Sequence, residues 1–222
     1  MFLRIFPILF VFASICLATP NHEGGPSPSS PAKAIEELRV GNLRYIHGKP
    51  IHPKDHLTKR EKLTAGQKPF AIVFSCSDSR VPPELIFDQG LGDLFIIRVV
   101  GHALDPLSQA SIEFGVAKLG AQLIVILGHE SCGAVAAALG NQSTGSSHLD
   151  QILQGIRPNL TAFMDKPVED PRIHEPVKAH VLGTARQLMD KSQIVRDKVK
   201  TGQLGIALGV YNLATGRVEF LK

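Results

Sequence analysis

Two short apolar runs constrain this chain more than any other feature. Phe70-Ala71-Ile72-Val73-Phe74 and Leu123-Ile124-Val125-Ile126-Leu127 contain no polar residue. A strand wet on one face alternates apolar with polar. An unbroken apolar run demands burial on both faces, which is the habit of parallel sheets covered by helices. A third run, Leu94–Val99, lies between them with Arg98 as its single charge. Helical stretches separate the runs, so the fold expected is α/β: a mostly parallel sheet with flanking helices. Leu204–Tyr211 and Arg217–Leu221, around Ala214-Thr215-Gly216, add a C-terminal antiparallel hairpin.

The helices are read from caps and periodicity. Ser30-Pro31 is a helix start, with Pro in the first turn. Ile35, Leu38, Leu43 and Ile46 then form the apolar stripe of a helix reaching Gly48. Pro50 to Pro69 is polar and broken, with one helical turn near Lys59–Leu63. A short helix is expected near Pro83–Phe87. Asp105-Pro106 caps a helix to about Lys118, closed by Gly120. A helix of small residues runs through Leu139 to Gly140, and two more occupy roughly Leu149–Met164 and Pro176–Lys200. No internal repeat is present.

The 222 residues, 44% hydrophobic, suffice for a core that needs no disulfides. The net charge of +4 is modest. The densest basic stretch, Lys191 to Lys200, is interrupted by Asp197 and reads as a solvated helix face, which argues against a nucleic-acid partner. The N-terminus is different. After Arg4, residues 5–17 are almost wholly apolar, and Cys16-Leu17-Ala18 places small residues two apart. The run is too short to span a bilayer and fits a signal peptide over residues 1–18, so a periplasmic or secreted protein is expected. A short membrane anchor is the competing reading. Residues 19–31 are Pro, Gly, Ser and Asn rich and read as a flexible linker, which leaves 32–222 as a single α/β domain. Two of the three cysteines then remain, and an exported chain could join them as a disulfide.

Their surroundings point to a metal instead. Cys76-Ser77-Asp78-Ser79-Arg80 follows the first run, and Gly128-His129-Glu130-Ser131-Cys132-Gly133 ends the second. Ligands of α/β sheets sit beyond the carboxyl ends of strands. Two thiols and an imidazole suit Zn²⁺, which is usually four-coordinate. His129 and Cys132 would share a face if the segment between them turns helical. No third cysteine of the mature chain closes the site, so the fourth position is open or gated by Asp78. His22, His47, His52 and His56 lie in polar segments and read as solvated. His148, His174 and His180 have no ligand spacing. His102 is a candidate proton relay, Asp88 and Asp93 read as turn or cap residues, and Arg98 is either an ion-pair partner or catalytic.

Cys-x-Asp-x-Arg followed some fifty residues later by His-x-x-Cys-Gly, each after an apolar strand, resembles the β-class carbonic anhydrases. Gly92-Asp93-Leu94-Phe95-Ile96-Ile97-Arg98 and Gly41-Asn42-Leu43-Arg44-Tyr45 are similar to further segments of that family. The resemblance extends from about Ala34 to Leu221. It implies one Zn²⁺ per chain on Cys76, His129 and Cys132, with water or Asp78 fourth and Asp78 paired with Arg80. Gln67 matches a glutamine that holds substrate, and Phe95 an apolar pocket wall. The activity implied is reversible hydration of carbon dioxide to bicarbonate and a proton. Hydrolysis of CS₂ or carbonyl sulfide on the same site, and a non-catalytic zinc-stabilised binding protein, are the alternatives. A homodimer or homotetramer with the site near a subunit boundary is also implied. Phe114 stands where tyrosine is frequent, and Val100 where asparagine is. Some relatives close at low pH through a bicarbonate pocket containing tryptophan. Here Val73 stands at that position, beside Arg98 and Tyr211, and the chain has no Trp. The resemblance therefore implies that Asp78 stays with Arg80 near neutral pH.

Overall fold

A computed structural model describes residues 27–51, 56–140, 142–164, 170 and 172–221. The signal-peptide reading of residues 1–18, and the linker up to residue 26, lie outside the described residues. The order is α1 (Pro31–Ile46), α2 (His56–Leu63), β1 (Ala71–Cys76), α3 (Pro83–Ile86), β2 (Leu94–Val99), α4 (Pro106–Ala117), β3 (Leu123–His129), α5 (Gly133–Leu139), α6 (Ser147–Ile156), α7 (His174–Lys191), α8 (Gln193–Lys200), β4 (Gly205–Tyr211) and β5 (Val218–Phe220). The strands form one sheet in the order β2-β1-β3-β4-β5. Every pairing is parallel except β4 with β5.

Both apolar runs are buried along their whole length, as two-sided burial requires. Successive side chains point to opposite faces. Ile72, Phe74 and Cys76 join one core cluster with residues of α4, α5, α6 and α7, while Ala71 and Val73 join the other with Ala34 and Leu38 of α1 and Ile86 of α3.

The caps form at the expected residues. Ser30 Oγ accepts from Lys33 N, and Asp105 and Ser108 make a reciprocal capping box. The stripe on α1 differs from expectation. Leu43 is 44% exposed, and the buried face is Ala34, Leu38, Gly41 and Asn42. Gly41 is there because a Cβ would lie 1.8 Å from the Phe87 carbonyl oxygen. Asn42 donates to the carbonyls of Ile86 and Gly216 and accepts from Val218 N, which ties α1 to the terminal hairpin. Ala34 and Leu38 bury this face by hydrophobicity, and Gly41 and Asn42 extend it by close approach and hydrogen bonding. Asp88 is also more than a turn residue. Although its φ is +48°, it is buried, pairs with Arg44 and accepts from Ile51 N.

The two long helices expected near the C-terminus are interrupted. α6 gives way at Arg157-Pro158 to short 3₁₀ turns, since Pro158 has no N–H for a continuing helix. α7 and α8 part at Ser192, whose hydroxyl caps α8 by accepting from Val195 N. Among the described residues no helix is long and apolar enough to cross a membrane.

Candidate metal centre

β1 and β3 are neighbours and parallel, so their carboxyl ends emerge side by side. Cys76 is the last residue of β1 and His129 the last of β3. Cys132 is the N-cap of α5. The helical face expected to carry His129 and Cys132 does not exist, because the two residues flank a turn. Ser131 adopts a left-handed φ of +55°, and its N–H donates to Arg172 O at 2.8 Å. The reversal brings the three side chains together: the ligand atoms of Cys76, His129 and Cys132 all lie within 4.8 Å of one another, and all three residues are buried.

The donor set fits a zinc ion. His129 Nδ1 donates to Glu130 O at 2.9 Å, which leaves Nε2 as the unprotonated nitrogen. That Nε2 is buried with no hydrogen-bond partner. An orphaned acceptor in a dry site is costly, and a cation between it and two sulfurs removes the cost. Cys76 and Cys132 are both free of any disulfide. The neighbouring Cys132 thiol pulls the Cys76 thiol well below its usual range. The same contact and burial push Cys132 up, because a second buried thiolate would repel the first. A dication held by the two sulfurs would offset that repulsion.

Asp78 lies beside the cluster and is held away from it. Arg80 Nε donates to Asp78 Oδ1 at 2.9 Å, Arg80 Nη2 to Oδ2 at 2.7 Å, and the Arg80 backbone N–H to Oδ1 at 2.9 Å. This fork holds the Asp78 carboxyl far below the usual carboxylate range. Asp78 Oδ2 is 3.9 Å from His129 Nε2, so the carboxylate borders the ligand pocket while its lone pairs serve Arg80.

Sequence reasoning left three roles open or unseen here. Arg98 spends its guanidinium on the carbonyls of Cys76, at 2.9 Å, and Asp78, at 2.5 Å, and so fixes the loop between them. A lone charge in an apolar strand was the available signal. Gly101 N–H donates to Cys76 Sγ at 3.2 Å, which no pattern of side chains announces. His102, a relay candidate, is fully buried with both ring nitrogens unpartnered and is packed on His180 at 4.2 Å between centroids.

Two expected substrate residues lie elsewhere in this chain. Gln67 is exposed and precedes β1, at the end of the sheet opposite Cys76. Phe95 pairs with Ile72, four residues from the metal end of β1, and packs on Phe114 at 6.2 Å between centroids. Neither can touch the metal pocket of its own chain, since the four strand steps from Phe95 to the level of Cys76 already span about 13 Å, and Gln67 lies farther still. The positions Val73, Arg98 and Tyr211 are each committed internally too. Val73 is core, and the Tyr211 hydroxyl is 3.3 Å from that of Tyr45.

The family model described as carbonic anhydrase matches residues 71–218. A carbonic anhydrase of Mycolicibacterium smegmatis is 39% identical over 194 residues, 86% of this chain and 93% of that protein. Carbonic anhydrase 2 of Mycobacterium tuberculosis is 38% identical over 192 residues, 85% and 92% of the two chains. Among solved structures, the β-carbonic anhydrase CafA of Aspergillus fumigatus aligns with a TM-score of 0.69 at 28% identity, over 85% of this chain and 90% of that one. One of two tetrameric β-carbonic anhydrases from Sordaria macrospora shares the fold, with a TM-score of 0.67 at 24% identity over 84% and 96%. The matched region contains β1 to β4, the first residue of β5 and the whole Cys-His-Cys cluster. With its relatives, its fold and its buried cluster in agreement, this chain belongs to the β-class carbonic anhydrases, enzymes whose general activity is the hydration of carbon dioxide.

Proposed function

We propose that this chain hydrates carbon dioxide reversibly, to bicarbonate and a proton, on one Zn²⁺ held by Cys76, His129 and Cys132. The observation that carries the reading is the buried, unpartnered His129 Nε2 facing two sulfurs beside the Asp78–Arg80 fork. Bound there, Zn²⁺ would lower the pKa of water from 15.7 toward about 7. Asp78, fixed by Arg80, accepts a hydrogen bond from the nucleophilic water and aims its lone pair at the substrate carbon. Arg98 keeps Cys76 and Asp78 in register by holding both carbonyls. A purely structural zinc would want a fourth protein ligand, whereas the nearest carboxylate is committed to arginine.

The same proposal includes a second copy of the chain. β2 is an edge strand, and Leu91, Val100, Leu107 and Phe114 around it are exposed apolar side chains. Unpaired edges and apolar patches are the surfaces that subunits cover. In a dimer with its sites near the boundary, Gln67 and Phe95 of one chain would face the pocket of the other. Export through residues 1–18 is also part of the reading and rests on their apolar run. Intact mass of the protein from its own host tests it: a mature chain beginning near Thr19 supports export, and a chain beginning at Met1 or Phe2 rejects cleavage.

The central test is stopped-flow hydration of CO₂ by the zinc-loaded mature protein, run beside hydrolysis of carbonyl sulfide and CS₂. Rapid hydration with one zinc per chain is expected. A zinc-loaded protein with no hydration activity would sink the proposal.

A further inference from the structure

The Gly101 peptide stands between the metal pocket and a buried pair of polar side chains. On one side its N–H reaches Cys76 Sγ at 3.2 Å. On the other, its carbonyl receives His180 Nε2 at 2.7 Å. Facing a carbonyl, Nε2 must carry the proton, so His180 Nδ1 is an acceptor. Asn159 Nδ2 lies 3.1 Å from that nitrogen and donates to it. The line runs from Asn159 through His180 and the Gly101 peptide to the sulfur, with every donor matched to an acceptor.

Several independent features hold this line in place. Gly101 has a φ of +61°, and a Cβ there would lie 2.7 Å from both Ala134 and Ile156, so the peptide is threaded through a gap only glycine passes. The next residue, His102, is also left-handed at +41°, and its ring lies against that of His180 at 4.2 Å between centroids. On α7, one turn beyond His180, Gly183 leaves the room that Asn159 fills: a Cβ at 183 would be 2.2 Å from the Asn159 amide. His180 itself is fully buried. A core position needing only bulk would take an aliphatic residue, and a buried imidazole carries a desolvation cost that its two hydrogen bonds offset.

We infer that His180, oriented by Asn159, is a positioning residue of the metal centre: it fixes the Gly101 peptide so that its N–H points at Cys76 sulfur. An N–H aimed at a thiolate withdraws electron density from it and sets its direction. Partners of this kind tune metal affinity, commonly by 10- to 100-fold. The inference rests on the zinc reading of Cys76, His129 and Cys132.

The test compares the full-length mature protein with His180→Leu, His180→Gln and Asn159→Ala. Zinc affinity is measured by competition with a chromogenic chelator, and the sulfur-to-metal charge-transfer band is recorded after Co²⁺ substitution. His180→Leu is expected to weaken zinc about 10- to 100-fold and to shift the band. His180→Gln should recover most of both, because its amide N–H can reach the Gly101 carbonyl. Asn159→Ala should fall between, since the imidazole keeps its bond to the Gly101 carbonyl but its ring is held by one hydrogen bond instead of two. A folded His180→Leu protein with wild-type affinity and an unmoved band overturns the inference. If His180→Leu does not fold, Asn159→Ala decides, because its side chain is only half-buried, and wild-type values there are equally fatal. A wild-type chain that takes up neither metal would instead refute the zinc reading on which this rests.

Discussion

The two ends of the parallel sheet differ in everything but their backbone. At the carboxyl end, β1 and β3 deliver Cys76 and His129 into a buried pocket where backbone N–H groups, an arginine fork and a histidine line are arranged around two sulfurs. At the amino end, Gln67 is exposed, and the nearby Lys59–Asp93 pair is the kind of surface contact worth at most about 1 kcal/mol. Gln67 is only nine positions from Cys76 in the chain, yet a strand separates them. Nearness in sequence is spent along the strand, and nearness across strands is what builds the site.

The largest losses are expected at the carboxyl end. Cys132→Ser is expected to reduce zinc from about one per chain to near zero and to abolish hydration, since only two strong ligands remain. Metal analysis of the purified variant checks this, and full zinc retention would remove Cys132 from the ligand set. Arg80→Ala should keep its zinc and still lose activity on the order of 10²-fold, because Asp78 is released from its fork and no longer orients the nucleophile. Stopped-flow rates against zinc content separate the two effects. An Arg80→Ala enzyme with wild-type turnover would remove the fork from the mechanism.

At the amino end the expected effects are smaller and depend on assembly. Gln67→Ala should lower kcat/KM by roughly 10-fold through lost orientation, with zinc and stability unchanged, and only where chains are associated. Light scattering alongside kinetics over a dilution series tests this. No effect in a demonstrated dimer would leave Gln67 as a surface residue. The last expected effect is on the pH dependence of stability. Burial depresses both His102 and His180, the latter to about 4. Their folded values are below the unfolded value near 6.5, so the unfolded chain binds more protons in that window. Their contribution is complete above about pH 6.5 and is lost as pH falls toward 4, at up to about 1.4 kcal/mol per pH unit for each group. Thermal melts at pH 7.5, 6 and 5 should show a flatter slope for His180→Gln than for wild type, and parallel slopes would contradict the assignment.

Much of this was legible in the chain itself. The unbroken apolar runs gave the buried strands, and Ser30 and Asp105 cap their helices with the groups their chemistry supplies. The motif residues after β1 and β3 were visible because thiols and imidazole at strand ends are uncommon. Leu43 misled the reading because α1 is buried through a glycine and an asparagine, which hydropathy does not score. The long helices misled it because Pro158 and Ser192 break a periodicity that is otherwise continuous.

Propensity, capping and burial periodicity act over a few residues, so most strands and helices, and the side chains able to hold a metal, can be read from the chain. Tertiary packing brings Cys132 to His129 across a left-handed turn at Ser131, sets Arg98 on two carbonyls, and carries Gln67 and Phe95 away from their own chain's pocket. It alone placed His180, 79 residues on, under the Gly101 carbonyl. These relations depend on strand order, register and the path of α7 beneath the sheet's end. Those are settled by packing across the whole core, and no local stretch of residues contains them.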